Sequence, residues 1–387
     1  MISGTSEAHN KGIIGLFPEL LGIGGVQEAG RQTAAALQQI SLGHHDSFTF
    51  FQSLNDPRGI HELDIAQNRI STRGFGKSKL QFVFSAIRQS RKGARIVLAA
   101  HPHFAQPAAW AEWFSPRVKT IVMSHGVEVW KPLPTLRRKA LLSADLVLAP
   151  SSDTAQKLAE VQGVLPEKIR KLAWPLGQDF LRMADAAGTL EAPREFTNAR
   201  VILTVGRWAA NERYKGADEL LRAVARLRPA FPGLRLAVVG GGDDLPRLKE
   251  IASSLGISES VCFLENPSRA EIAACYAHAE VFALPSTGEG FGMVFLEAMA
   301  FSKPIVGALA GGTIDLVEDG INGFLVRPRD AEALEQTLAR LLRDESLRIE
   351  LGRRGAEIVR RNYSFEAFRT HLEGILGECG LASRPTA

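Results

Sequence analysis

Val281-Phe282-Ala283-Leu284-Pro285-Ser286-Thr287-Gly288-Glu289-Gly290-Phe291-Gly292-Met293-Val294-Phe295-Leu296-Glu297 reads as a short β-rich run, a glycine-rich turn and the opening of an apolar helix. That succession is one strand-to-helix step of an α/β fold. Gly290 and Gly292 let backbone N–H groups approach a ligand with no Cβ in the way, and a helix N-terminus behind them suits a phosphate. Glu289 stands in the turn. Glu297 lies deeper, among Phe295, Leu296, Ala298 and Met299, where a carboxylate needs hydrogen-bond donors that a sugar diol would supply. The plainer alternative is a glycine-loosened turn whose Glu is paired inside the protein.

Working outward, β-rich runs at 200–205, 234–239, 261–264, 304–306 and 323–326 alternate with helical patterns, which predicts a doubly wound parallel sheet around 281–284. A first series, at 13–17, 47–51, 95–100, 118–123 and 145–149, predicts a second such sheet nearer the N-terminus. Periodicity fades over 184–198 into Ala, Gly, Pro, Thr and charged residues. The expected division is an N-terminal stretch 1–11, a Rossmann-like domain 12–190, a linker 191–199, a second Rossmann-like domain 200–362, and a closing helix and tail 363–387 that restarts at Ser364. Such sheets bind ligands at the carboxyl ends of their strands, so a cleft between the two domains is expected.

The 387 residues are 45% hydrophobic and 23% charged, with a mean hydropathy of −0.02. This excludes global disorder and a membrane bundle, and the length argues for two domains. Lys plus Arg is 46 against 42 for Asp plus Glu, a net charge of +4. That mild excess does not call for nucleic acid but suits an anionic small ligand or an anionic membrane surface. Cys262, Cys275 and Cys379 show no C-x-x-C spacing, so neither a disulfide framework nor a cysteine zinc site is expected. Met1 to Lys11 lacks the order of a signal peptide, and a cytoplasmic protein is expected.

Other constellations add to the central turn. Arg207 follows the run 200–205, and Tyr214-Lys215-Gly216 precedes a helical pattern over 217–227, so two cations flank a helix entrance and suit a diphosphate. Gly22-Ile23-Gly24-Gly25 opens the first helix, expected to run through Leu37. A G-x-G-x-x-G reading from Gly22 fails where Gln27 stands, which weakens a nicotinamide site. Gly240-Gly241-Gly242-Asp243-Asp244 is a further glycine turn open to phosphate, ribose or neither. His125-Gly126 follows the run 118–123. His44-His45 and His101-Pro102-His103 lack metal-ligand company, and no Asp-x-Asp pair occurs, so no metal is expected. Lys77, Lys79, Arg88, Arg91 and Lys92 border Leu80, Phe82, Val83, Phe84 and Ile87. This reads as a core-packed helix with a solvated basic face or as an element lying on an anionic leaflet.

Taken together, Glu289-x7-Glu297, Arg207 with Lys215-Gly216, the turn Gly24-Gly25-Val26-Gln27, His125-Gly126, and Gly311-Gly312 with Asp319-Gly320-Ile321-Asn322-Gly323 resemble family 4 of the retaining glycosyltransferases, the group 1 family with GT-B fold. The resemblance spans most of the chain and is densest over 200–329. It implies sugar transfer from a nucleotide-diphosphate donor (UDP-, GDP- or ADP-sugar) to a glycan or lipid-linked acceptor, with retention, without metal or cofactor, in a polysaccharide-building setting. It implies that Arg207 and Lys215 hold the diphosphate, Glu297 the ribose hydroxyls and Glu289 a hydroxyl of the transferred sugar. Phe291, Gly292, Met293 and Val294 would supply backbone contacts, Gly24 and Gly25 would face the diphosphate, and His125 would meet the donor sugar. Asn266 marks the expected base contact. With the cysteine usage and the basic stretch 77–92, the expected location is cytoplasmic, peripheral at the inner face of the membrane.

Two departures touch the sugar pocket and the hinge. The chain reads Gly311-Gly312-Thr313-Ile314-Asp315 where the family often has Gly-Gly-x-Pro-Glu, and Pro175-Leu176-Gly177-Gln178-Asp179 in place of Asn-Gly-Val-Asp. The competing readings are a non-hydrolysing nucleotide-sugar epimerase of the same fold, an NAD-dependent oxidoreductase and a two-lobed solute-binding protein.

Overall fold

The computed structural model describes residues 12–22, 24–43 and 47–380. The chain divides into two compact units, Met1–Gly177 with Phe365–Ala387, and Gln178–Ser364.

The first unit is built on strands β1 (Gly12–Phe17), β2 (Thr49–Ser53), β3 (Gly59–Ile65), β4 (Asn68–Gly74), β5 (Ala94–Ala99), β6 (Lys119–Met123), β7 (Leu146–Ala149) and β8 (Ile169–Lys171). Their order in the sheet is β3-β4-β2-β1-β5-β6-β7-β8. Helices α1 (Gly25–Leu42), α2 (Lys79–Ser90), α3 (Ala105–Phe114), α4 (Thr135–Ser143) and α5 (Ser152–Lys157) intervene. The central strands β1, β5, β6 and β7 are near-continuous apolar runs because helices cover both their faces; Ile14, Leu16, Val97, Val122 and Val147 join Phe82, Ala108 and Leu141 in one buried cluster. All strand pairs are parallel except the β3–β4 hairpin. That hairpin was not expected from the sequence. Its two turn residues, Ala66 and Gln67, both take positive φ, the conformation that Asn-Gly or Asp-Gly normally announces.

The second unit holds β9 (Arg200–Val205), β10 (Leu234–Val239), β11 (Val261–Leu264), β12 (Val281–Leu284), β13 (Ile305–Ala308) and β14 (Gly323–Val326). Their order, β11-β10-β9-β12-β13-β14, is the 3-2-1-4-5-6 order of the dinucleotide-binding sheet, with its reversal between β9 and β12. Helices α6 (Gln178–Asp185), α7 (Ala217–Leu227), α8 (Leu245–Ser254), α9 (Arg269–His278), α10 (Met293–Ala300), α11 (Thr313–Leu316), α12 (Ala331–Arg343) and α13 (Glu345–Asn362) complete it. The final helix, α14 (Phe365–Glu378), rejoins the first unit, where it packs on α1 and Arg170 pairs with Glu378 at 2.8 Å.

The division between units falls at Gly177/Gln178, ahead of the expected linker 191–199. The reason is packing. Phe180 of α6 sets its ring on Tyr276 and Phe301 of the second unit, Phe196 is buried, and the backbone carbonyls of Leu190 and Glu195 accept from His278 and Arg235. Small and polar residues there mark irregular backbone, not a sparsely packed tether. The end of the expected tail, 381–387, the expected stretch 1–11, Ile23 and His44-His45 lie outside the described residues.

Candidate functional site

At the topological reversal of the second sheet, the turns that follow β9 and β12 carry the charged residues. Gly206 and Arg207 leave β9 directly. Their path is set from the β10 side: Gly206 N donates to Val239 O at 3.0 Å, Trp208 N to Gly241 O at 2.9 Å, and Asp244 N to Trp208 O at 2.9 Å. Gly240, with φ of 119°, lies so close that a Cβ there would sit 2.0 Å from Gly206 O. The glycine turn 240–242 is therefore a seat for the Arg207 turn. Asp243 accepts from Ala210 N at 2.8 Å. Asp244 is gripped by Arg213 and Arg247, the latter at 2.5 Å, and the Arg247 bond is the chief reason its carboxyl stays below the usual range.

The turn 210–215 brings Lys215 back toward the reversal point. Lys215 Nζ lies 3.1 Å from Glu289 Oε1 and 3.8 Å from Glu212 Oε2, and Glu212 also pairs with Arg207. Lys215 and Glu289 are each 13% exposed, whereas Arg207 is 74% exposed. The Tyr214 phenol is pushed up to about 12, by burial first and by Glu289 second. The Glu289 turn is braced from the β13 side. Gly312 N donates to Glu289 O at 2.7 Å, and Gly311, with φ of 57°, leaves room for the Glu289 backbone, which a Cβ would meet at 2.7 Å. The Gly-Gly pair retained at 311–312 thus supports the turn directly.

Gly292 is the N-cap of α10 in a left-handed conformation, so the helix opens at Met293 and Val294, and Phe291 is buried beside it. Glu297, one turn further, accepts from Tyr276 Oη at 3.0 Å; that hydroxyl also lies 3.2 Å from Val294 O. Burial first, and then the Glu297 charge, raises the Tyr276 phenol well above its ordinary range. Glu297 thus takes one of its donors from inside the protein. Asn266, exposed and at positive φ, stands after β11 where a Cβ on Gly241 would touch its Oδ1. The structure therefore links Arg207, Lys215 and Glu289 through direct ion pairs and seats Asn266 against the glycine turn that supports Arg207. Glu212 and Tyr276 stand in no motif of the sequence; Gly311 and Asp244 belong to glycine turns whose bracing roles appear only with their spatial neighbours.

Gly24, Gly25 and His125 belong to the first unit. Gly24, at φ of 147°, is the N-cap of α1. The turn before it is held by the buried Asp56, which accepts from Leu20 N at 2.9 Å and Leu21 N at 3.2 Å. Arg31 Nη1 donates to Leu20 O and Gly22 O at 2.9 and 2.7 Å. His125 Nε2 donates to Ala100 O at 2.8 Å, and its ring stacks on His101 with centroids 5.8 Å apart. Burial, followed by His125 and His103, lowers His101 to about 3. Among the described residues no group of three or more His, Cys, Asp or Glu is placed to hold a metal ion. Within the basic stretch Lys79 and Arg88 lie on α2, with Lys77 before it and Arg91 and Lys92 after it; Phe82 and Ala86 are buried and Leu80 and Phe84 exposed. No helix among the described residues is long and apolar enough to cross a membrane.

Comparison with known proteins supplies the family. The pattern for Glycosyl transferases group 1 matches residues 189–358, and that for Glycosyltransferase Family 4 matches residues 23–172. A D-inositol 3-phosphate glycosyltransferase of Salinispora arenicola is 33% identical over 66% of this chain and 60% of its own length. A GDP-mannose-dependent alpha-(1-6)-phosphatidylinositol monomannoside mannosyltransferase of Mycolicibacterium smegmatis is 31% identical over 67% of this chain and 70% of its own. The crystal structure of Anabaena HepE in complex with UDP superposes with a TM-score of 0.71 at 19% identity, covering 95% of this chain and all of that one. The match to the Salinispora relative thus spans less than two thirds of that protein. With two doubly wound sheets and both family patterns matched in succession, the chain belongs to the group 1 glycosyltransferases, Glycosyltransferase Family 4, and has the GT-B fold.

Proposed function

We propose that this chain is a retaining, metal-independent glycosyltransferase that moves a sugar from a nucleotide-diphosphate sugar to a glycan or lipid-linked acceptor. The observation that carries this reading is the assembly of Arg207, Lys215 and Glu289 at the sheet reversal, beside the opening of α10. Departure of a nucleoside diphosphate places negative charge on its phosphates. Two cations and a helix N-terminus stabilise that charge where it develops. In this reading Glu289 and the backbone of Phe291 to Val294 hold the sugar, and Glu297, oriented by Tyr276, takes the ribose hydroxyls. Gly24, Gly25 and His125 contribute from the first unit; Nε2 of His125 is committed to Ala100 O. With Lys215 on Glu289 and Tyr276 on Glu297, neither carboxylate is assigned as a nucleophile.

The relatives' activities, on inositol phosphate and on a phosphatidylinositol mannoside, support a polar or lipid-linked acceptor, and the UDP held by the Anabaena protein supports a nucleoside diphosphate as the donor's leaving group. Cytoplasmic action at an anionic leaflet fits the first unit. Leu80 is 86% exposed on α2 and Trp113 80% exposed on α3, close to a basic run in which Arg91 lies over the Phe114 ring. Apolar side chains ringed by cations suit an interfacial surface.

Thermal denaturation against UDP, GDP, ADP and their sugars tests the donor. At a ligand concentration of about 100 Kd the stabilisation is about 2.7 kcal/mol, a shift of roughly 5–10 °C for a unit of this size. A shift with one nucleotide, followed by acceptor-dependent release of that diphosphate, is expected. Conversion of donor without acceptor would favour an epimerase. Sedimentation with anionic vesicles, weakened by salt and by neutralising Lys77, Lys79, Arg88, Arg91 and Lys92, is expected if the leaflet reading holds.

A further inference from the structure

Glu212 is the one carboxylate of the Arg207–Glu289 assembly that has no part in the donor contacts described above. It sits in the turn 210–215 with its side chain 9% exposed and its two oxygens turned to two cations, Oε1 to Arg207 and Oε2 to Lys215 Nζ at 3.8 Å. Lys215 is shared in turn with Glu289 at 3.1 Å. The resulting series, Arg207, Glu212, Lys215, Glu289, alternates in sign and carries no net charge. An arriving diphosphate meets cations that are already neutralised, so its binding is an exchange of ion pairs. The exposures identify which pair exchanges. Lys215 is enclosed between two carboxylates at 13% exposure, while Arg207, paired with Glu212, is 74% exposed and has open space around its guanidinium.

We propose that Glu212 is a positioning residue that acts as a built-in competitor for Arg207. It holds the guanidinium in the unliganded protein, yields it to the donor diphosphate, and takes it back as the nucleoside diphosphate leaves. Only ion pairs exchange; no covalent bond or proton moves. The arrangement weakens the grip on donor and product alike, and where product release limits turnover a weaker grip speeds the cycle. This rests on the donor reading of the second unit.

The test is calorimetric titration of UDP, GDP and ADP, and of the corresponding monophosphate, into the wild-type protein and Glu212→Gln. The variant keeps the shape and a hydrogen-bonding oxygen but removes the competing charge. The nucleoside diphosphate that binds the wild type is expected to bind Glu212→Gln roughly tenfold tighter, with a smaller gain for the monophosphate and stronger product inhibition during turnover. In an Arg207→Gln background the same substitution is expected to give no further tightening. Unchanged or weaker diphosphate binding in a variant that melts like the wild type overturns the proposal. If Glu212→Gln melts lower, Glu212→Asp, which keeps the charge but shortens its reach, is expected to tighten diphosphate binding, and no gain there overturns it equally. A wild-type protein that binds none of the three diphosphates would instead remove the donor reading itself.

Discussion

Replacing Tyr276 with Phe removes a single hydroxyl beneath the opening of α10. The Tyr276 ring is wholly buried and packs on Phe180, Phe282 and Phe301 with centroids 5.8 to 5.9 Å away. Phe preserves those contacts, so the loss is confined to the hydroxyl, with its 3.0 Å bond to Glu297 Oε2 and its longer 3.2 Å bond to Val294 O. A hydrogen bond to a charged group contributes about 1.5–3 kcal/mol. For a unit of this size that is a fall in Tm of roughly 3–12 °C. The assay is thermal and urea denaturation of the full chain, with the urea slope unchanged because the same surface is exposed on unfolding. The donor reading adds a second, separable effect. If Glu297 takes the ribose hydroxyls, loosening it weakens binding of a nucleoside diphosphate and leaves binding of inorganic pyrophosphate unchanged. A Tyr276→Phe protein with wild-type Tm would show that the bond does not support Glu297. Equal losses for nucleotide and pyrophosphate would refute the assignment of Glu297 to the ribose.

Three further outcomes follow from the same geometry. Arg207→Ala should lower turnover roughly 10²-fold or more, by comparison with other groups that stabilise developing charge, with Tm little changed because the side chain is largely exposed; near-wild-type kcat would discredit the role. Gly240→Ala forces a Cβ against Gly206 O in a backbone region unfavourable to L side chains; it should cost about 2 kcal/mol or more and weaken nucleotide binding through the displaced Arg207 turn, so a stable variant with intact affinity would contradict the seating described for 240–242. His101, lowered to about 3 in the fold against 6.5 unfolded, stays neutral while the unfolded chain takes up a proton. Its contribution is therefore present above pH 6.5 and is lost as pH falls toward 3. The slope of unfolding free energy between pH 6 and 4 should flatten in His101→Gln, measured by urea denaturation at fixed ionic strength; an unaltered slope would mean that His101 titrates normally.

The parts of the fold and site legible in the sequence were those whose information is local. Strands β9, β10, β11, β12 and β14 fall where their apolar runs predict, and Arg207, Lys215, Glu289 and Gly292 each stand in a glycine-bearing turn at a strand end. What escaped depends on partners far along the chain. Tyr276 meets Glu297 across 21 positions, Arg213 meets Asp244 across 31, and Asp56 meets Leu20 across 36; no spacing announces such pairs. Glu212 is close in sequence to both its cations, yet an isolated acid in a polar turn reads as solvated until burial is known. The β3–β4 hairpin was hidden because Ala66 and Gln67 take a backbone normally signalled by Asn or Gly. The linker was misplaced because composition reports irregular backbone, whereas a boundary is a deficit of contacts, and Phe180 moves that deficit ahead of α6.

Both sheets reverse their strand order beside their first strand, and in each the turns near that reversal carry the candidate groups. The chemistry held there differs. In the second unit it is charge held by charge: two cations, Arg207 and Lys215, paired with two carboxylates, Glu212 and Glu289. In the first unit it is backbone and rings: Gly24 held open by Asp56 and Arg31, and His125 stacked on a histidine that burial keeps neutral. A neutral His101 places no cation against the His125 ring on which it stacks. The same topology thus supports two different arrangements, paired charges in the second unit and stacked rings with braced backbone in the first.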